Sequence, residues 1–123
     1  MKALSIRQPW AHAVLHLGKD VENRIWATRY RGLLVVHAPK TVDTLAGAYL
    51  EWCRYRLPDP LVTGALVGTV RVVGCVDDSD SEWAEQGQGQ WHWQLTDPCP
   101  FLAPIPWRGA LRLFDVPDEV VTW

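Results

Sequence analysis

Apolar and polar residues along this chain fall into short runs of two different periods. Residues 2–6 alternate with period two and predict a strand, which Arg7-Gln8-Pro9 interrupts. Trp10, Ala13, Val14 and Leu17 then recur at i, i+3, i+4 and i+7, one stripe of a helix that Pro9 opens and Gly18 stops. His12 and His16 lie off that stripe and read as solvated. Residues 22–26 predict a second strand, with Glu22, Arg24 and Trp26 on one face and Asn23 and Ile25 on the other. Residues 28–32 predict a turn and residues 33–38 a buried strand.

Further on, Thr41 is placed to cap a helix reaching about Arg54, with Leu45, Tyr49, Trp52 and Cys53 on one face. Two prolines within residues 57–60 end it. Residues 65–76 form the longest expected strand, with Leu66, Val70, Val72 and Val76 on one face and glycines 64, 68 and 74 as bends. The acidic residues 77–85 and the Gln-Gly run at 85–90 predict a mobile loop. Residues 91–95 alternate as another strand, with both indoles on one side and His92 and Gln94 on the other. Pro98, Pro100, Pro104 and Pro106 predict an extended connection before a last strand at 109–114. About six strands and two helices make an α+β domain, a small curved barrel flanked by helices, with residues 1–123 as one domain.

Charge sharpens this picture. Residues 1–40 hold seven Lys or Arg against two acids, and the remainder holds five against twelve, for a net charge of −2. Such a chain does not grip long stretches of phosphate, although its basic third suits one or a few nucleotides. Eight tryptophans are many for 123 residues, and some are expected to line a site. Three scattered cysteines without a Cys-x-x-Cys pair argue against zinc and disulfides, so no metal or other cofactor is expected. No segment has the length of a membrane span or the apolar run of a secretory signal, which predicts a soluble cytoplasmic protein without membrane partners.

The candidate chemistry centres on residues 18–40. Lys19, Glu22, Arg24 and Trp26 bring an ammonium, a carboxylate, a guanidinium and an indole into one short span. Arg7 and Gln8 precede the first helix, where they can receive a carbonyl or phosphate oxygen or simply cap the helix. His37 ends a buried strand beside Lys40, in a position that suits either a structural group or part of a site.

Several motifs together carry a resemblance. Ser5-Ile6-Arg7-Gln8-Pro9-Trp10-Ala11, then Gly18-Lys19-x-x-Glu22-x-Arg24, Tyr30-Arg31-Gly32, Val36-His37-Ala38, Gly64-Ala65-Leu66-Val67-Gly68 and Pro104-Ile105-Pro106 are similar to those of an ASCH domain of the PUA-like superfamily. The resemblance implies a PUA-like β-barrel with a cleft beside the first helix, and RNA or a modified nucleoside or nucleotide as partner. The candidate binding set is Arg7, Gln8, Trp10, Lys19, Glu22, Arg24, Trp26, His37 and Lys40. A base would stack on Trp10 or Trp26, Glu22 would accept from its donor edge, and the cations would hold phosphate or sugar.

One branch of the family implies an alternative, metal-independent removal of acetyl from N(4)-acetylcytidine by a lysine, a threonine and a glutamate. Lys19 matches that lysine, but Glu22 stands where the threonine is expected, and Glu82 or Glu85 would supply the acid. Lys19 and Glu22 are then the catalytic candidates. A lysine attacks only as a free amine, so a Glu22–Lys19 pair opposes this chemistry while a Glu22–Arg24 pair permits it. A ribonuclease using Lys19, His37 and Lys40 is a weaker alternative.

Overall fold

The computed structural model describes residues 1–121. In chain order it contains β1 (Lys2–Ser5), α1 (Trp10–His16), β2 (Val21–Arg24), β3 (Gly32–Ala38), α2 (Thr44–Trp52), β4 (Ala65–Val76), β5 (Trp91–Pro106), β6 (Leu113–Asp115) and a 3-10 turn at Asp118–Val120. The strands form one sheet in the order β2-β5-β4-β3-β1-β6, with β1 and β3 parallel and all other neighbours antiparallel. That sheet curls as a half-barrel, and the fold is α+β as the sequence implies.

Curvature comes from irregular pairing. The β3–β4 register shifts between Val36 and His37, and β4–β5 shifts three times, at Leu66/Gly68, Thr69/Arg71 and Val72/Gly74. Each extra residue bends its strand and adds twist. These shifts also split the face expected for β4. Val70 and Val72 join Leu4, Ile6, Leu34, Val36, Trp93 and Ala11, Val14 and Leu15 of α1 in one core. Leu66 packs instead with Ala3, Val35, Phe101, Val116 and Val121 in a second.

Four further expectations are corrected. The four prolines near 100 do not make a connection; β5 runs through them to Pro106. Beyond Leu95, whose N–H still donates to the Asp20 carbonyl at 2.9 Å, that strand pairs only with β4, so its other edge tolerates residues that lack an N–H. Asp43, not Thr41, caps α2, its carboxylate accepting from the Ala46 N–H at 3.0 Å. And α2 buries Ala46 and Leu50, while Leu45 and Trp52 are 83% and 81% exposed. The last strand is short, Leu113–Asp115, instead of starting at 109.

α1 seats tightly on the sheet. A Cβ at Gly68 would lie 2.7 Å from the Cys99 carbonyl oxygen and 2.8 Å from a Leu15 methyl, neither of which can move freely. At Gly74 it would meet only the end of the Gln94 side chain, which can swing away. Gly68→Ala is therefore expected to lower stability by about 1–3 kcal/mol, and Gly74→Ala by clearly less, in urea titrations of both variants. Equal midpoints for the two would contradict this seating.

His12 and His16 stack at 4.6 Å between ring centroids, and His12 is half-buried. Burial first, and the neighbouring His16 second, lower the pKa of His12 below its ordinary value. The unfolded chain then takes up a proton first, so stability falls as pH drops below about 6.5. His12→Gln should flatten that dependence in thermal melts between pH 7 and pH 5.

Candidate functional site

Gly18 takes the left-handed conformation, φ +77°, that turns the chain out of α1. Lys19 follows and is buried, its side chain 3% exposed. Its Nζ donates to the Val21 carbonyl at 2.5 Å and to Glu22 Oε1 at 3.2 Å, and lies 5.4 Å from the centre of a Trp10 ring. β2 is an edge strand, and period two puts Glu22 and Arg24 on one side of it. Arg24 Nε donates to Glu22 Oε2 at 3.0 Å, and its Nη2 donates to the Ser5 carbonyl at 2.6 Å. One carboxylate therefore bridges both cations, so the two pairings posed by the sequence coexist.

Donors remain after these bonds. Arg24 Nη1 and the third N–H of Lys19 have no protein partner among the described residues, nor does the exposed Arg7 guanidinium. All three side chains, with Trp10 and Glu22, line a polar cavity of about 240 Å³. It adjoins a cavity of about 730 Å³ beside α2, and Trp10, Lys19, Asn23, Asp43 and Glu85 line both. The two form one cleft with a polar end and an aromatic end, the latter walled by Tyr49, Tyr55 and Trp83.

Five of the nine candidate binding residues thus meet: Arg7, Trp10, Lys19, Glu22 and Arg24. The other four are elsewhere. Gln8 is buried and caps α1, its Oε1 accepting from the His12 N–H at 2.9 Å while its Nε2 donates to the Val62 carbonyl at 3.0 Å. Trp26 lies beyond the end of β2, so alternation no longer governs it. It packs edge-on against Trp93 at 4.7 Å, with the Arg112 guanidinium 4.0 Å from its ring. His37 and Lys40 line a separate cavity of about 1050 Å³. There the ring of His37 is held between Ser5 Oγ at 2.8 Å and the Trp107 carbonyl at 2.9 Å.

Other cleft residues were hidden from the sequence. Asn23 faces away from Glu22 and fastens the acidic loop, donating to the Trp83 carbonyl at 3.0 Å and accepting from the Glu85 N–H at 3.1 Å. His92 Nδ1 meets the same Asn23 oxygen at 2.7 Å, and Ser81 donates to Asp20. The segment expected to be a mobile loop is therefore tied down over residues 81–85 and forms a wall. The clue was the tryptophan at its middle, an odd residue for a solvated acidic run. Among the described residues, no group of three or more His, Cys, Asp or Glu side chains is arranged to hold a metal ion, and no helix is long and apolar enough to cross a membrane.

Comparison with known proteins adds to this geometry. The sequence pattern of the ASCH domain matches residues 4–104. Activating signal cointegrator 1 from Homo sapiens is 33% identical over 130 residues, covering 95% of this chain and 22% of that protein, and the Mus musculus protein of the same name matches to the same extent. The chain thus spans about a fifth of the length of these curated relatives. Among solved structures, a tyrosine-to-phenylalanine mutant of ZmASCH from Zymomonas mobilis matches with a TM-score of 0.60 over 97% of this chain and 91% of that one, at 13% identity, a likeness of fold.

The bridge itself is open to test. Glu22→Ala leaves a buried ammonium and a half-buried guanidinium without their carboxylate, and should cost about 3–5 kcal/mol in chemical denaturation. Glu22→Gln keeps one accepting oxygen and should cost less. Wild-type stability in Glu22→Ala would mean that the carboxylate does not hold the two cations together.

Proposed function

Because this chain belongs to the ASCH domain family, we propose that it is an RNA-binding module whose cleft takes a single unstacked nucleotide or modified nucleoside. The observation that carries this reading is the convergence of three unused donors, on Arg7, Lys19 and Arg24, beside Trp10 in a cavity that opens onto further aromatic rings. The donors suit a phosphate or carbonyl oxygen, and guanidinium groups bind phosphate with fixed geometry. The rings suit a base, since stacking on an aromatic contributes about 1–3 kcal/mol whatever the base. Glu22 orients the cations in this reading, and Asp43 and Glu85 are the acceptors that face a ligand. The family resemblance supports RNA as the partner, and the relatives' name, a cointegrator of an activating signal, fits a domain that works within a larger nucleic-acid assembly.

Hydrolysis of N(4)-acetylcytidine is the second reading, supported by Lys19 standing where the hydrolytic branch has its lysine. Against it, Lys19 donates to the Val21 carbonyl and to Glu22, and attack would require the ammonium to lose its third proton beside that carboxylate. The absence of the expected threonine at position 22 points the same way.

Tryptophan fluorescence titrated with short single-stranded RNA, and separately with nucleoside monophosphates, tests the binding reading. Arg7→Ala should weaken every ligand roughly tenfold or more, the effect of one charge-assisted hydrogen bond, and should leave the melting temperature unchanged because the side chain has no protein partner. Trp10→Ala should cost a similar factor through lost stacking. Saturable quenching that is indifferent to both substitutions would reject the cleft as the site. Incubation with N(4)-acetylcytidine should release no cytidine; release that disappears in Lys19→Ala would establish the hydrolytic reading instead.

A further inference from the structure

The aromatic end of the cleft has walls of two kinds. Trp10, Tyr49, Tyr55 and Trp83 supply rings, and those of Tyr55 and Trp83 meet at 5.6 Å with their planes tilted by 39°. Asp43, Glu82 and Glu85 supply carboxylates. Among the described residues, the one cation lining this end is Lys19, whose ammonium is already engaged by Glu22 and the Val21 carbonyl. Asp43 uses one oxygen on the Ala46 N–H, and the Glu82 and Glu85 carboxylates have no protein partner among the described residues.

A phosphate is repelled by that wall, and a neutral base uses its carboxylates only as hydrogen-bond acceptors. A cation is favoured twice, because ring faces carry negative charge density and the free carboxylates complete the field. The molecule shows the first of these preferences internally, since Lys19 Nζ already lies over the Trp10 ring at 5.4 Å. The adjoining polar end shares Asp43 and Glu85 but adds what the aromatic end lacks, the guanidinium groups of Arg7 and Arg24 with their unused donors. A ligand that satisfies both ends is positive at one end and negative at the other.

We propose that the cleft selects a nucleotide whose base is itself cationic, a purine alkylated on a ring nitrogen, with the base among the rings and carboxylates and its phosphate at the guanidinium end. This deepens the nucleotide-binding reading above and rests on it. A methylated lysine in a peptide offers the cation without the phosphate, and so answers only half of the cleft.

Isothermal titration of the full chain with 7-methylguanosine monophosphate, guanosine monophosphate and a trimethyl-lysine peptide tests the assignment. The methylated nucleotide should bind about tenfold more tightly than the unmethylated one, the size of a well-formed cation–ring contact. In a Glu82→Gln, Glu85→Gln double variant, checked for folding by circular dichroism, that ratio should fall toward one. Both residues are exposed, so the double variant is expected to fold. Equal affinity for the two nucleotides in the wild-type chain would overturn the selection for charge while leaving the nucleotide reading intact. Binding of the peptide with neither nucleotide bound, or no binding by any of the three, would overturn both.

Discussion

A single carboxylate set between two cations holds this site together. Glu22 takes Lys19 on one oxygen and Arg24 on the other, and Arg24 reaches on to the Ser5 carbonyl. Three separate pieces of chain are joined by that path: the exit of α1, the edge strand β2 and the end of β1. Burying charges costs several kcal/mol per ion, and attraction offsets this only when the remaining polar atoms are also satisfied. Here the Val21 and Ser5 carbonyls do so, and their dipoles temper the excess positive charge of two cations against one anion. What is left for a ligand is the set of donors that this network does not use.

Ser5 then links the cleft to the second cavity. Its carbonyl serves Arg24, while its hydroxyl meets His37 Nδ1. The other nitrogen of His37 faces a carbonyl, which can only accept, so Nε2 carries a proton and donates there, while the Ser5 hydroxyl can serve Nδ1 as either donor or acceptor. Gly109 closes over this pair so nearly that a Cβ there would lie 2.5 Å from the imidazole and 2.7 Å from Ser5 Oγ. With both ring nitrogens engaged and backbone packed on its edge, His37 acts as a structural tie between β1, β3 and the segment leading to β6.

The order of strands and helices was legible because each has a clean period: alternation in β1 and β4, and the i, i+3, i+4, i+7 stripe in α1. The motif from Gly18 to Arg24 was legible as chemistry for the same reason, since a left-handed glycine followed by alternation determines which side chains share a face. Periodicity ended where the chain stopped being periodic. Trp26 follows β2 by two residues and turns into the core, and the shifts around Leu66 move that side chain into a different cluster from Val70. The apolar stripe of α2 misled for another reason. Leu45, Tyr49 and Trp52 do share a face, but that face borders the cleft and solvent, and the smaller Ala46 and Leu50 make the core contact. Nothing local to residues 81–85 could show that Asn23, some sixty residues earlier, would hold them.

The uneven spread of charge along the chain gains a spatial meaning from this. Arg7, Lys19 and Arg24 come from the basic first third, whereas Asp43, Glu82 and Glu85 come from the acidic remainder. The cleft lies along the seam between them, with the guanidinium groups of Arg7 and Arg24 confined to one end, Glu82 to the other, and Lys19, Asp43 and Glu85 lining both. A nearly neutral total gives little long-range attraction for polyanions, so electrostatics cannot supply affinity in bulk. It can only discriminate, by matching the charge pattern of a small ligand over the few ångströms where screening is weak. In the reading proposed above, such a module depends on fit at one nucleotide, and its site is built from parts of the chain that carry opposite charge.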